Sequence, residues 1–260
     1  MNIHFHLRRF IMQKIIQKIK EKKSLKNIDD ESIEEEIEEF LRRNPKIKRR
    51  LRENTLKEKE KKQIIKEVRE TFNKTYGNFW KGNNCTLKDH QSTKEREQFY
   101  PLIYQRIFNE EETILDIACG LNPLSYKLIP KYQERKFIGT ELTKEDVKKL
   151  NNYFKEEHIN GKALQENLLK EKKFPKADIT LLLKILDIIE RKGHKKAEEI
   201  LENIQSKRIV VSFSTKTLHS KNMKNPRRGW IEQLLKRKKW PYKKFLIPGE
   251  EFYLIEKQNS

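Results

Sequence analysis

Two cysteines in 260 residues, Cys85 and Cys119, are too few to staple a fold. Neither belongs to a Cys-x-x-Cys or Cys/His cluster, so a disulfide framework and a structural zinc site find no support, and the chain reads as suited to a reducing, cytoplasmic compartment. No apolar run approaches the length that spans a bilayer. The short apolar stretch behind Arg8 and Arg9 is interrupted by Lys14, Lys18 and Lys20, which describes an amphipathic helix rather than a signal peptide. There is no Gly-x-Gly-x-x-Gly and no Walker loop, which argues against nicotinamide and nucleoside triphosphate chemistry. His90, His194 and His219 stand apart without metal-ligand spacing. No internal repeat is visible.

What the chain has in excess is positive charge. Lys and Arg number 59 against 39 Asp and Glu, a net charge of +20. Residues 1–110 carry +9, residues 111–204 carry +1 and residues 205–260 carry +10. Charge added for solubility alone would be spread evenly; an excess that flanks a neutral middle points to a polyanionic partner. Charged residues at 38% make the chain polar, yet 9% aromatics and aliphatic runs supply a core.

The length suits one substantial α/β domain with a smaller companion. Residues 1–90 read as a basic helical domain. Leu7, Phe10, Ile11, Ile15 and Ile19 fall at helical spacing, and a second helix opens at Glu31 with Ile33, Ile37, Phe40 and Leu41, stopped by Asn44-Pro45. A third spans Thr55 to Asn73. Residues 74–90 form a connector, and one helix is expected from Ser92 to Phe108. Residues 91–260 read as the larger domain. Strands are expected at 113–118, 136–141, near 162–165, at 178–183 and at 208–213, and a helix at 144–154. Such alternation makes a parallel sheet with helices on both faces. The tail, with strands at 244–247 and 251–256 around Pro248-Gly249, reads as a β-hairpin. That ending separates class I methyltransferases from dinucleotide-binding Rossmann domains. The fold class is therefore α/β, a Rossmann-like class I S-adenosylmethionine (SAM)-dependent methyltransferase with a seven-stranded sheet, preceded by an all-helical domain.

The segment Ile114 to Pro123 fits that reading. A buried strand delivers Asp116, and the small residues Ala118 and Gly120 let backbone approach a ligand before the chain turns into a helix. Glu141 ends the second strand, where an acidic residue accepts hydrogen bonds from ribose hydroxyls; a surface Glu beside a helix cap is the alternative. After the third strand, the Asn167 amide oxygen is placed to meet an adenine amino group with Leu168 packing on the ring, and Glu166 competes for that role.

Four segments together resemble the ribosomal RNA guanine-N7 methyltransferases of the aminoglycoside-resistance type, which modify the decoding site of 16S rRNA. They are His90 to Arg96 (HQSTKER), Asp116 to Leu124 (DIACGLNPL), Ala177 to Lys184 (ADITLLLK) continuing to Arg191, and Val210 to Leu218 (VVSFSTKTL) with Asn222-Met223. The resemblance covers about residues 85–256. It implies a SAM site made by His90, Ser92, Thr93, Arg96, Asp116, Ala118, Gly120, Asn122, Glu141, Leu142, Asn167 and Leu168, with Arg96 on the cofactor carboxylate. It also implies that Lys184, Ser214 and Lys216 position the target guanosine. This sequence departs from the family pattern at Lys94, where Arg is usual, at Glu141 and Asn167, where Asp is usual, and at Ser214, where Pro is usual.

The implied partner is 16S rRNA or the 30S subunit, met by a monomer without a metal or membrane. Arg8, Arg9, Lys216, Lys221, Lys224, Arg227 and Arg228 are the candidate phosphate contacts, and Trp230 a stacking platform. Phe213 reads as a core strand residue. Guanine N7 has an in-plane lone pair and no proton, so no general base is required, matching the absence of a triad or carboxylate pair. Two alternatives stand beside this reading: a methyltransferase for another rRNA base or a tRNA, and a non-catalytic RNA-binding or ribosome-assembly factor on an idle SAM fold.

Overall fold

The computed structural model describes residues 3–73, 86–171, 173–189, 194–217, 221–224 and 226–257. The chain divides into two units, residues 1–80 and 81–260.

The first unit is helical: α1 Ile3–Lys20, α2 Asp30–Arg43, α3 Pro45–Arg52 and α4 Glu58–Phe72. Asp29 caps α2 by accepting the Ser32 amide at 2.8 Å, and Glu60 reaches back to the Lys57 amide at the start of α4. Pro45 does more than end α2. It occupies the first turn of α3, where its missing N–H is not needed, and so begins a helix that was not expected. The core of the unit is Ile15, Ile16, Ile19, Ile33, Ile37, Phe40, Leu41, Ile64 and Val68, all buried as α4 packs against α1 and α2.

The second unit begins with α5 Gln91–Arg96 and α6 Tyr100–Ile107, separated by the 3-10 turn Glu97–Phe99. The single helix expected there is broken because Pro101 cannot donate to the preceding turn and instead starts α6. The alternating elements follow: β1 Thr113–Asp116, β2 Lys136–Glu141, α7 Lys144–Glu156, β3 Gly161–Gln165, β4 Ile179–Leu183, α8 Leu186–Ile189, α9 Lys195–Asn203, β5 Arg208–Ser214, α10 Gly229–Lys238, β6 Tyr242–Ile247 and β7 Glu250–Glu256. The sheet order is β3-β2-β1-β4-β5-β7-β6, parallel except for β7, which runs antiparallel to both neighbours. This is the expected seven-stranded sheet with its terminal hairpin. The helix expected after the β1 turn is a 3-10 stretch, Asn122–Leu128, carrying Pro123 in its first turn.

The strands read as apolar runs because both faces are covered. Ile114, Leu181, Val210 and Phe252 enter one core with Tyr100, Tyr104, Tyr126, Phe137 and Phe154. Their neighbours Leu115, Leu182, Val211 and Tyr253 enter the other with Ile200, Leu201, Ile231 and Leu235. Phe213 belongs to that second core and is 1% exposed. The carboxyl ends of β1 to β5 are thereby held on one rim, where ligands of open α/β sheets bind.

Candidate active site

The turn leaving β1 is anchored to the end of β2. Ala118 N–H donates to the Thr140 hydroxyl at 3.2 Å, Cys119 N–H to the Thr140 carbonyl at 3.0 Å, and Gly120 N–H to the Glu141 carboxylate. Two residues in the turn take left-handed backbone, Ala118 at φ 52° and Gly120 at φ 55°. A Cβ on Gly120 would stand 3.2 Å from Nε2 of His90, and a Cβ on Gly139 would stand 3.0 Å from the Cys119 sulfur. Glycine at both positions lets the turn lie flat between β2 and the His90 ring.

Asp116 lies at the floor of this turn and is 1% exposed. Its Oδ2 accepts from Asn122 Nδ2 at 2.7 Å and from the Tyr126 hydroxyl at 2.9 Å, and Asn122 Oδ1 accepts from the Tyr100 hydroxyl at 2.8 Å. The amide of Asn122, expected to touch cofactor, is therefore held between Asp116 and Tyr100, where it positions the acid. Burial pushes the Asp116 carboxyl up to about 6, against the Asn122 and Tyr126 hydrogen bonds, which favour the ionised form. Its other oxygen, Oδ1, is buried with no hydrogen-bond partner.

Glu141 accepts from Gly120 and from Leu142 N–H at 3.2 Å, and burial raises it to about 7. Beyond β3, Asn167 and its competitor Glu166 are differently engaged. The Asn167 side-chain Oδ1 caps its own turn by accepting from Leu169 N–H at 3.1 Å, whereas Glu166 keeps a buried Oε2 without a hydrogen-bond partner and is raised to about 7 by burial. Leu168 is buried in the core. Three carboxylates thus gather at the ends of β1, β2 and β3.

The HQSTKER segment packs alongside. Burial, with Arg96 and Lys184 nearby, lowers His90 to about 3, so its ring is neutral. Thr93 donates to the His90 carbonyl at 3.0 Å, closing the first turn of α5, and Ser92 is buried. Arg96 was expected on a cofactor carboxylate. Its Nε and Nη2 instead both meet Glu250, at 2.8 to 3.1 Å, with both side chains almost fully buried. The fork matches a carboxylate's geometry, and the antiparallel β7 brings one to it from the far end of the chain.

Lys184 follows β4 in left-handed backbone, φ 60°, an unusual conformation for a long side chain. Its ammonium meets Glu95 at 2.6 Å and Glu250 at 3.2 Å. Ser214 and Lys216 shape the next loop: the Ser214 hydroxyl donates to the Lys216 carbonyl at 2.8 Å, and Thr215 N–H donates to the Gly249 carbonyl at 2.9 Å. Lys221 and Lys224 are exposed. Leu218, His219, Ser220 and Asn225 lie outside the described residues.

Two expected RNA contacts are differently employed. Arg228 bonds Asp187 at 2.7 Å and the Ser214 carbonyl at 3.3 Å and lies over Phe213, so it pins the loop instead of facing phosphate. Trp230 stacks on His194 at 4.4 Å and 2°, with its edge against Phe213, because the start of α10 packs onto the core. Arg227 is exposed but paired with Glu232. In the first unit, Arg8 pairs with Glu38 at 2.9 Å and Arg9 is exposed. Sequence reasoning missed Tyr100, Tyr126 and Glu250. No motif marks them, because their role depends on contacts across 10 to 154 residues.

Among the described residues no helix is long and apolar enough to cross a membrane, and no group of three His, Cys, Asp or Glu side chains is arranged to hold a metal ion.

The sheet order, the glycine turn after β1 and the acidic rim define a class I methyltransferase fold. The chain belongs to the ribosomal RNA methyltransferase (FmrO) family, whose model matches residues 79–255. It is 27% identical over 173 residues to a 16S rRNA (guanine(1405)-N(7))-methyltransferase of Micromonospora echinospora, a stretch covering 65% of this chain and 63% of that protein. To the Serratia marcescens protein of the same description it is 29% identical over 178 residues, 66% of this chain and 68% of the relative. The matched region thus spans less than two thirds of the Micromonospora protein. The 16S rRNA methyltransferase RmtF, solved with S-adenosyl-L-homocysteine, superposes with a TM-score of 0.75 at 21% identity, covering 99% of this chain and 100% of that one. The 16S rRNA methylase RmtB gives 0.75 at 20% identity, covering 95% and 98%.

Proposed function

We propose that this protein transfers a methyl group from SAM to N7 of a guanine in the decoding region of 16S rRNA. The observation that carries the reading is the pair of buried, partnerless carboxylate oxygens, Asp116 Oδ1 and Glu166 Oε2, on either side of the glycine turn. A buried acceptor without a donor costs about 1–3 kcal/mol, so such a pair is a site awaiting donors. SAM presents them in an ammonium, two ribose hydroxyls and an adenine amino group, and when bound it supplies a methyl group already activated on a cationic sulfur. Asp116 would hold the amino-acid end, Glu141 and Glu166 the ribose and adenine side, and Gly120 the backbone approach.

The remaining residues align and desolvate the target. N7 brings its own lone pair, so the chain has no proton to move in the attack, and an in-line displacement chiefly requires positioning. Methylated guanine is cationic. Lys184 can stand nearby because Glu95 and Glu250 neutralise it. The exposed Lys221 and Lys224 and the half-buried Lys216 supply the phosphate-facing edge, and the basic helical unit, residues 1–80, docks the ribosome. The protein works as a monomer in the cytoplasm, where its RNA is found.

Calorimetry with SAM, followed by labelled methyl transfer to 30S subunits and to naked 16S rRNA, tests the proposal. Binding of SAM with transfer to the 30S subunit is expected. Absence of SAM binding would leave an idle fold, and transfer to tRNA alone would move the substrate.

A further inference from the structure

We infer that Glu250 is a positioning residue for methyl transfer, one carboxylate that fixes Arg96 and Lys184 in a common frame; this rests on the methyltransferase reading above. Glu250 opens β7 directly after Gly249, whose φ of 90° sets the hairpin turn. It is 1% exposed. Its Oε1 accepts from Arg96 Nη2 at 2.8 Å and Nε at 3.1 Å and from the Ser212 hydroxyl at 2.5 Å. Its Oε2 accepts from Arg96 Nε at 2.9 Å and from the Lys184 ammonium at 3.2 Å. The Ser212 hydroxyl also accepts the backbone N–H of Lys184 at 3.0 Å, so the left-handed residue is tied to the same carboxylate through its main chain.

The sheet itself does not ask for this arrangement. Glu250 pairs with Ser214 and lies two residues from Phe252 in a strand that is otherwise packed on both faces. Apolar residues in place of the whole cluster would close the core without desolvating two cations and two carboxylates, and buried ion pairs rarely win on stability alone. The cluster instead joins three points of the rim. Arg96 comes from the segment that seats His90 against Gly120, Lys184 from the end of β4, and Glu250 from the hairpin turn whose Gly249 carbonyl holds the Thr215 amide just after β5. Its consequence is geometric. Shortening the side chain by one methylene draws the carboxylate back by about 1.5 Å, and misplacement of about 1 Å costs roughly 100-fold in a reaction that depends on alignment.

Glu250→Asp and Ser212→Ala are compared with wild type for melting temperature, SAM affinity, 30S affinity, and kcat and KM for 30S methylation. Ser212→Ala keeps all four charges and removes one hydroxyl, so it folds even where the aspartate variant does not. Both variants are expected to bind 30S subunits within about twofold of wild type while kcat falls, roughly tenfold or more for the aspartate and several-fold for the alanine. Wild-type kcat in folded Ser212→Ala, or an activity loss that only follows the unfolded fraction, would overturn the inference. Failure of the wild type to methylate 30S subunits removes the underlying reading instead, and this inference with it.

Discussion

Arg96 and Glu250 lie 154 residues apart and meet as a fork on a carboxylate, one from the short helix before the sheet and one from its last strand. The pair closes the methyltransferase unit on itself. Burial alone would raise the Glu250 carboxyl, but Arg96 and Lys184 outweigh it and hold it below the ordinary carboxylate range. Removing one partner strands a buried charge, at about 3–5 kcal/mol. Glu250→Ala is expected to lower the melting temperature by roughly 10 °C, at about 2–4 °C per kcal/mol for a unit of this size. A melt within 2 °C of wild type, a limit of roughly 1 kcal/mol on that scale, would show the pair to be incidental.

On the proposed reading, the acidic rim makes SAM binding depend on pH. Burial raises Glu141 to about 7 and Asp116 to about 6. Both are protonated more readily in the folded protein than in the unfolded chain, so their stabilising contribution is full below pH about 4.5 and is lost as pH rises through 7. A cationic ligand that needs the ionised carboxylates behaves in the opposite sense. The SAM association constant is expected to rise with pH, most steeply below 6 where both carboxyls are protonated, by up to tenfold per unit between 6 and 7, and to level off above 7. Calorimetry in two buffers of different ionisation enthalpy should show proton release near pH 6.5, and Glu141→Gln should reduce it.

Gly120 occupies backbone that L-residues avoid, and a Cβ there would stand 3.2 Å from the His90 ring. Gly120→Ala is expected to cost about 1–2 kcal/mol and to weaken SAM binding by at least tenfold, since the His90 ring must shift. A thermal melt and a titration read both. An alanine variant with wild-type affinity would mean that the turn does not contact the ligand.

Lys221 and Lys224 are exposed, whereas Arg228 is engaged within the protein. Replacing both lysines with glutamine is expected to weaken 30S binding and to reduce the slope of log K against log salt by about 1 per lost phosphate contact. SAM affinity should not change. A steady slope would take these residues out of the RNA interface.

The sheet was readable from sequence because strands buried on both faces leave unbroken apolar runs, as in Ile179 to Leu183, and because the hairpin turn carries Pro248-Gly249. The cofactor turn was readable for a similar reason: Asp116 and Gly120 are close in the chain, and their spacing is the geometry. What escaped was whatever depends on distant contacts. Pro101 broke a helix whose periodicity ran straight through it, and Pro45 started one where a stop was expected. The Asn167 Oδ1 is taken by the Leu169 amide two residues on, while Glu166 Oε2 is buried without a hydrogen-bond partner, a difference that spacing alone does not reveal. Arg96 was expected on a cofactor carboxylate, and its partner Glu250 was invisible until β7 folded back beside β5.

The most direct measurement maps the atom that is methylated. Purified 30S subunits are incubated with the protein and SAM, the 16S rRNA is extracted, and borohydride reduction with aniline cleavage is read by primer extension. The account predicts strand scission at a single guanine of the decoding region, dependent on both protein and SAM. Incorporated methyl label without any such scission would place the methyl group on an atom other than guanine N7 and contradict the account.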